Sequence, residues 1–239
     1  MMQMIHYERG DKMEINNNNS SSYSSCFDVI GPIMVGPSSS HTAGAINIGA
    51  AAVKVFQGIP DQVYVRYYES FSETHQGHGT DFAIVAGILQ LDYDDPNVPK
   101  SVEIAEAKGM EIEFIENDEP SPFHHPNTAD IILANQEKRT RLAGISIGGG
   151  KIEISYLEVN DFKLNIQGPL PGLLLMTDQS EVQQSVENMM VKDQVRYNHK
   201  IVQENQGQTL LYYGIEHYFP EELFAKIKEM TEISYAVLF

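Results

Sequence analysis

A single cysteine, Cys26, stands among 239 residues, and tryptophan is missing altogether. One thiol cannot close an intrachain disulfide. Nor can it supply the four thiolates of a structural zinc site or an iron–sulfur cluster. Basic residues are scarce as well: 16 Lys and Arg against 33 Asp and Glu give a formal net charge of −17. Nucleic acids and anionic membranes call for a basic face, so neither is expected as a partner. Long apolar runs are also lacking, and none approaches the roughly 20 residues that span a bilayer. A lone thiol with no export signal points to a reducing, cytoplasmic setting. What is present is a 42% hydrophobic chain, long enough for one large domain or two small ones.

Residues 1–25 carry no apolar periodicity. The tract "INNNNSSSYSS" is low in complexity and reads as a disordered polar extension. Folded structure is expected from "CFDVIGPIMVG" onward. "AGAINIGAAAVKVF" places Ile46, Ala50, Val53 and Phe56 at helical spacing, and Gly58 and Pro60 mark the exit. "QVYVRYYES" predicts a strand, and "GTDFAIVAGILQL" a helix capped by Thr80 or Asp81. "SVEIAEAKG" reads as a helix closed by Gly109. "MEIEFIE" alternates up to Phe114 and reads as a strand. "TADIILAN", "TRLAGISIGGG", "KIEISYLEV" and "FKLNIQG" predict antiparallel strands. The class is mixed α/β (α+β), with a first domain over 26–160 and a linker over 161–171. The remainder, 172–239, predicts β-α-β-β-α-β, a ferredoxin-like unit, with Ser180 as a cap candidate and Pro220 in the first turn of its second helix.

Four polar segments interrupt this pattern. "VGPSSSHTAGA" puts Ser38, Ser39, Ser40, His41 and Thr42 at a helix N-terminus, where amides and the positive end of the dipole favour an anion. The same residues would serve as a plain serine cap, and the residues alone leave both readings open. "THQGHGTD" sets His78 between Gly77 and Gly79 in an expected loop. There it is a candidate general base, while His75 reads as a bystander. "PSPFHHPNTAD" holds His124, His125 and Asn127. "SIGGGKIEI" holds Ser146 and Lys151 around three glycines, which suit either close approach to a ligand or a tight hairpin. Neither a phosphate-binding loop nor a dinucleotide fingerprint fits these spacings.

Taken in order from Phe27 to Leu157, "FDVIGPIMVGPSSSHTAGA", "GHGTDFAIVAG", "HPNTA" and "GISIGGGKIEI" together resemble the β chain of bacterial iron–sulfur-dependent L-serine dehydratase. The resemblance implies a lyase that converts L-serine to pyruvate and ammonia. It implies a [4Fe–4S] cluster ligated by the cysteines of a separate α subunit, with no metal ligand in this chain. It also implies His78 as the catalytic base. Ser38, Ser39, Ser40, His41 and Thr42 would hold the substrate carboxylate, and His125, Asn127, Ser146 and Lys151 would make further substrate contacts. The C-terminal unit resembles the amino-acid-binding ACT domain. It departs from that pattern at "TDQSEVQQ", where no glycine follows Asp178, so homodimerisation is as well supported as effector binding. The competing reading is a non-catalytic regulatory module that binds a small amino acid or carboxylate.

Overall fold

A computed structural model describes residues 33–166, 168 and 170–239. The expectations for residues 1–25, for Cys26 and for the first part of "CFDVIGPIMVG" lie outside the described residues. Six strands form the first sheet: β1 (Gln62–Tyr68), β2 (Glu111–Asn117), β3 (Thr128–Ala134), β4 (Arg139–Gly148), β5 (Lys151–Val159) and β6 (Phe162–Asn165), in the order β2-β1-β3-β4-β5-β6. Only β1 and β2 run parallel. Parallel neighbours need a crossover, supplied here by three helices: α2 (Glu69–His78), α3 (Thr80–Ile88) and α4 (Ser101–Ala107). β6 falls inside the stretch expected to be a linker. Phe162 and Leu164 are buried, and the strand pairs with β5.

Helix α1 (Gly44–Phe56) lies between α3 and the sheet and is buried on nearly every side. Of the expected stripe Ile46, Val53 and Phe56 are inside and Ala50 is half-buried, while Ile48, Ala51, Ala52 and Val55 are inside as well. A helix that is apolar all round belongs in a core. Glycines let it touch α3 backbone to backbone. A Cβ on Gly49 would lie 2.1 Å from the Ile84 carbonyl oxygen, and one on Gly87 would lie 2.0 Å from that of Ile46. The helix stops at Gln57, which takes a left-handed conformation and returns its N–H to the Val53 carbonyl, one residue before the expected Gly58.

The second sheet contains β7 (Gly172–Thr177), β8 (Tyr197–Asn205), β9 (Gln208–Ile215) and β10 (Ile233–Leu238), in the fully antiparallel order β10-β7-β9-β8. With α5 (Val182–Lys192) and α6 (Glu221–Lys228) it makes the expected β-α-β-β-α-β unit. Ser180 does not cap α5. Glu181 occupies the cap position, and the Ser180 hydroxyl turns to the Glu181 carboxylate. β7 is buried throughout, and apolar but for Thr177, because both its faces are covered. Leu173 and Leu175 meet Val182, Val186, Leu223 and Ile227 beneath the helices. Leu174 and Met176 join the same core as α1. The seam is pinned by Tyr235, whose hydroxyl donates to the Val55 carbonyl, and by Gln57, whose side-chain amide donates to the Ala236 carbonyl at 2.8 Å.

Candidate active site

The serine loop enters α1 through a π-helical turn, Ser39–Ala43. Ser38 is extended, and its Oγ accepts the His41 N–H at 3.2 Å while its carbonyl accepts the Thr42 N–H at 2.8 Å. The serine cap expected as one reading of the motif is therefore present, made by Ser38. Ser39 contributes a carbonyl that accepts the Gly44 N–H. Ser40 Oγ lies 2.9 Å from His41 Nδ1 and 3.3 Å from Ser38 Oγ. Thr42 is fully buried, and its hydroxyl donates to the His78 carbonyl at 3.3 Å. That bond ties the loop to the end of α2.

His75 and His78 lie on helix α2, where a loop was expected. The stretch Glu69–His78 buries only Phe71 and His75, so no apolar period announces a helix. Gly79, at φ +69°, ends α2 with its N–H on the His75 carbonyl and starts α3 directly. Neither Thr80 nor Asp81 caps α3. The His78 ring meets the His41 ring edge to face at 4.7 Å. His78 Nδ1 is buried and has no hydrogen-bond partner. Burial, and after it the charge of His78, holds the His41 imidazole below its ordinary value. The pair therefore resists carrying two charges at once.

Three further strand and loop residues, Ser146, Asn127 and His125, close the other side. Ser146 on β4 is fully buried, its Oγ has no partner, and it abuts Gly44 at the start of α1. Its N–H donates to the Asn127 carbonyl at 3.0 Å, and the Asn127 side-chain amide reaches back to the Ser146 carbonyl at 3.4 Å. His125 Nδ1 accepts the Asn127 N–H at 3.1 Å. Burial holds His125 below its ordinary value, opposed by the Glu153 and Glu69 carboxylates. Thr80 Oγ1, at the start of α3, is likewise buried without a partner. Lys151 stands apart. The three glycines form the β4–β5 hairpin with φ of +97°, +63° and +82°, which answers the open question in favour of a tight turn. Lys151 follows them and lines a separate cleft of about 570 Å³ with Asn47, Tyr93 and Phe239.

Sequence reasoning missed three residues of this region. Ser70 Oγ lies 3.3 Å from His41 Nε2, so a serine flanks each nitrogen of that ring. Phe71 packs on the same ring at 5.1 Å. His75 is a structural anchor of α2: it is buried, with Nδ1 2.7 Å from Asp81 and Nε2 2.8 Å from Glu116, and it stacks on Tyr67 at 4.8 Å. Burial works against charge on His75, but Glu116 and Asp81 outweigh it, and the imidazole titrates above its ordinary value. Only the six-residue spacing to Asp81 lay within reach of the sequence. Ser70 and Glu116 are brought in by the fold.

The fold and these residues define a class: a two-sheet α+β protein with a hydroxyl- and imidazole-lined site where a buried helix begins. Residues 25–155, more than half of the chain, match the family described as serine dehydratase beta chain. The chain is 44% identical to the probable L-serine dehydratase, beta chain, of Bacillus subtilis, over 79% of this chain and 85% of that one. It is 39% identical to the L-serine dehydratase, beta chain, of Peptoniphilus asaccharolyticus, over 63% and 67%. It is 29% identical to the L-serine dehydratase TdcG of Escherichia coli, over 54% of this chain and 33% of that protein. The chain belongs to the serine dehydratase beta chain family.

Proposed function

We propose that this chain works as the β subunit of a two-chain L-serine dehydratase, which with its partner converts L-serine to pyruvate and ammonia. The observation that carries the reading is the unpartnered Nδ1 of His78, buried beside the serine loop. A buried polar atom without a partner is costly, and a substrate proton is a fitting partner. In this reading His78 removes the α-proton of serine. The Ser38–Ser40 hydroxyls and the amides opening the π-helical turn hold the carboxylate. His41, largely neutral at pH 7, sits between Ser40 and Ser70 and keeps the base from facing a second positive charge. Ser146, with Asn127 and His125 behind it, forms the far wall. Lys151 and Thr42 have lesser parts, Thr42 as a brace.

The family resemblance brings a [4Fe–4S] cluster, which needs thiolate ligands. The one cysteine lies outside the described residues, and among the described residues no group of three or more His, Cys, Asp or Glu side chains is arranged to hold a metal. The donors of this chain do not fit a cluster. We therefore assign it to a cysteine-bearing α subunit, while this chain supplies the base and the carboxylate cradle. No helix among the described residues is long and apolar enough to cross a membrane, and the single cysteine suits the cytoplasm. The C-terminal unit we read as ACT-like. Strand β8 stands at the edge of its sheet and pairs with β9 alone among the described strands, which leaves one backbone edge for a second copy.

Co-expression with such an α chain under anaerobic conditions tests the reading. Serine-dependent pyruvate is the expected result, with His78→Ala reducing turnover by about 10²–10⁴-fold in a complex that still assembles on gel filtration. A loaded complex that makes no pyruvate would overturn the function. Full turnover by the variant would remove His78 from the base role.

A further inference from the structure

Glu69 opens helix α2 at φ +44°, a left-handed conformation that non-glycine residues rarely adopt. Strain of this kind persists only where the surroundings hold it in place. The holding contact is the Glu69 carboxylate, which accepts the backbone N–H of Ser121 at 3.0 Å. It is a side-chain to backbone bond between segments 52 residues apart.

Ser121 is the hub of the loop that carries His125 and Asn127. It is buried, its hydroxyl donates to Thr128 Oγ1 at 2.9 Å and accepts the Phe123 N–H at 3.2 Å, and its carbonyl accepts the His124 N–H at 3.0 Å. Thr128 Oγ1 in turn donates to the His125 carbonyl at 2.5 Å. On the other side of Glu69 the next residues are Ser70, against His41, and Phe71, whose N–H donates to the Pro126 carbonyl at 3.3 Å. The carboxylate also acts on the His125 imidazole. One side chain thus ties the helix bearing Ser70 and His78 to the loop bearing His125 and Asn127.

We propose that Glu69 is a positioning residue: its carboxylate clamps the 118–127 loop to the start of α2, and its strained backbone is retained for that contact. The proposal rests on the dehydratase reading for its effect on turnover, but the clamp itself is measurable without it. A carboxylate is required only as an acceptor, so an amide oxygen at the same place preserves the clamp. Glycine removes both the acceptor and the strain.

The test compares Glu69→Gln, Glu69→Ala and Glu69→Gly in the full chain and in the co-expressed complex. Amide exchange across 118–127 is the direct readout. Ser121 exchange is expected at least tenfold faster in the Ala and Gly variants and within twofold of the parent in the Gln variant. In the complex the Gly and Ala variants should both lose at least fivefold in kcat, while the thermal midpoint of the Gly variant stays above that of the Ala variant, which keeps the strain. A residue acting only through general stability would not separate these. Unchanged Ser121 exchange in the Gly variant overturns the clamp. Faster exchange with parental kcat overturns its role in turnover. A parent complex inactive on serine would tell against the dehydratase reading and leave the exchange result to decide the clamp.

Discussion

Gly44 and Ser146 are in contact across the junction of α1 and β4. A methyl group built on Gly44 would lie 2.1 Å from Ser146 Oγ and 2.8 Å from its Cβ. The start of the helix therefore rests directly on the strand, with nothing between. That closeness sets how far the serine loop stands from the wall formed by Ser146, Asn127 and His125. It also leaves the Ser146 hydroxyl buried without a partner, fixed in place by packing alone.

Gly44→Ala is expected to destabilise the chain by about 1–3 kcal/mol, the range for forcing atoms into a filled core. Ser146→Ala should rescue only part of this, because the Cβ of residue 146 still lies inside contact distance. Ser146→Gly should rescue most of it. A double-mutant cycle on urea unfolding reads the coupling directly. Additive effects of the Gly44→Ala and Ser146→Gly changes would mean that the helix start shifts freely and that the contact does not set the spacing.

The glycines flanking His78 are predicted to respond in opposite directions. Gly77 lies within α2 at an ordinary φ, and a Cβ there would meet nothing within 4 Å. Gly77→Ala should stabilise by about 0.5–1 kcal/mol through helix propensity and a less flexible unfolded chain. Gly79 sits at φ +69°, and its Cβ would lie 2.1 Å from the Phe82 ring. Gly79→Ala should destabilise by about 1–2 kcal/mol. Thermal melts of the two variants check the pair, and a lowered midpoint for Gly77→Ala would contradict a helical conformation at that position.

What the sequence made legible follows from where the physics is local. The alternation of "MEIEFIE" marks β2 because every second residue of a strand faces one way. The apolar run of β7 and the order of the segments after it mark the second unit, although Ser180, the expected cap of α5, does not cap it. Ser38–Thr42, Gly79 and the triple glycine stood out because short polar and glycine runs have no packing reason to cluster. Helix α2 was hidden, since its contacts are polar and distant: Glu69 to Ser121, Ser70 to His41, Ser72 accepting the Asn117 N–H, and His75 to Glu116. Propensity does not report such bonds. The same polar residues that looked like a loop before a cap are a helix held from outside, which is why Asp81 faces His75 instead of capping α3.

His75 supplies a pH test with a defined sign. Its partners keep it protonated in the folded chain above its ordinary value of 6.5, so the native state holds the proton more tightly than the unfolded one. The contribution is complete below pH 6.5 and fades as pH rises through the raised value. His41 and His125 act in the opposite sense. Their lowered values mean that the unfolded chain gains protons first as pH falls below 6.5, which weakens the fold toward acid. His75→Gln removes the first effect and leaves the second. The variant is expected to be less stable than the parent by about 1–3 kcal/mol near pH 6, toward the low end because the Glu116 side chain is 59% exposed. The deficit should shrink at alkaline pH, where the parent imidazole is neutral and can donate to only one of Asp81 and Glu116. Urea midpoints of parent and variant at several pH values between 5.5 and 9 measure this directly. A deficit that stays constant across that range would mean that the folded imidazole carries no extra proton.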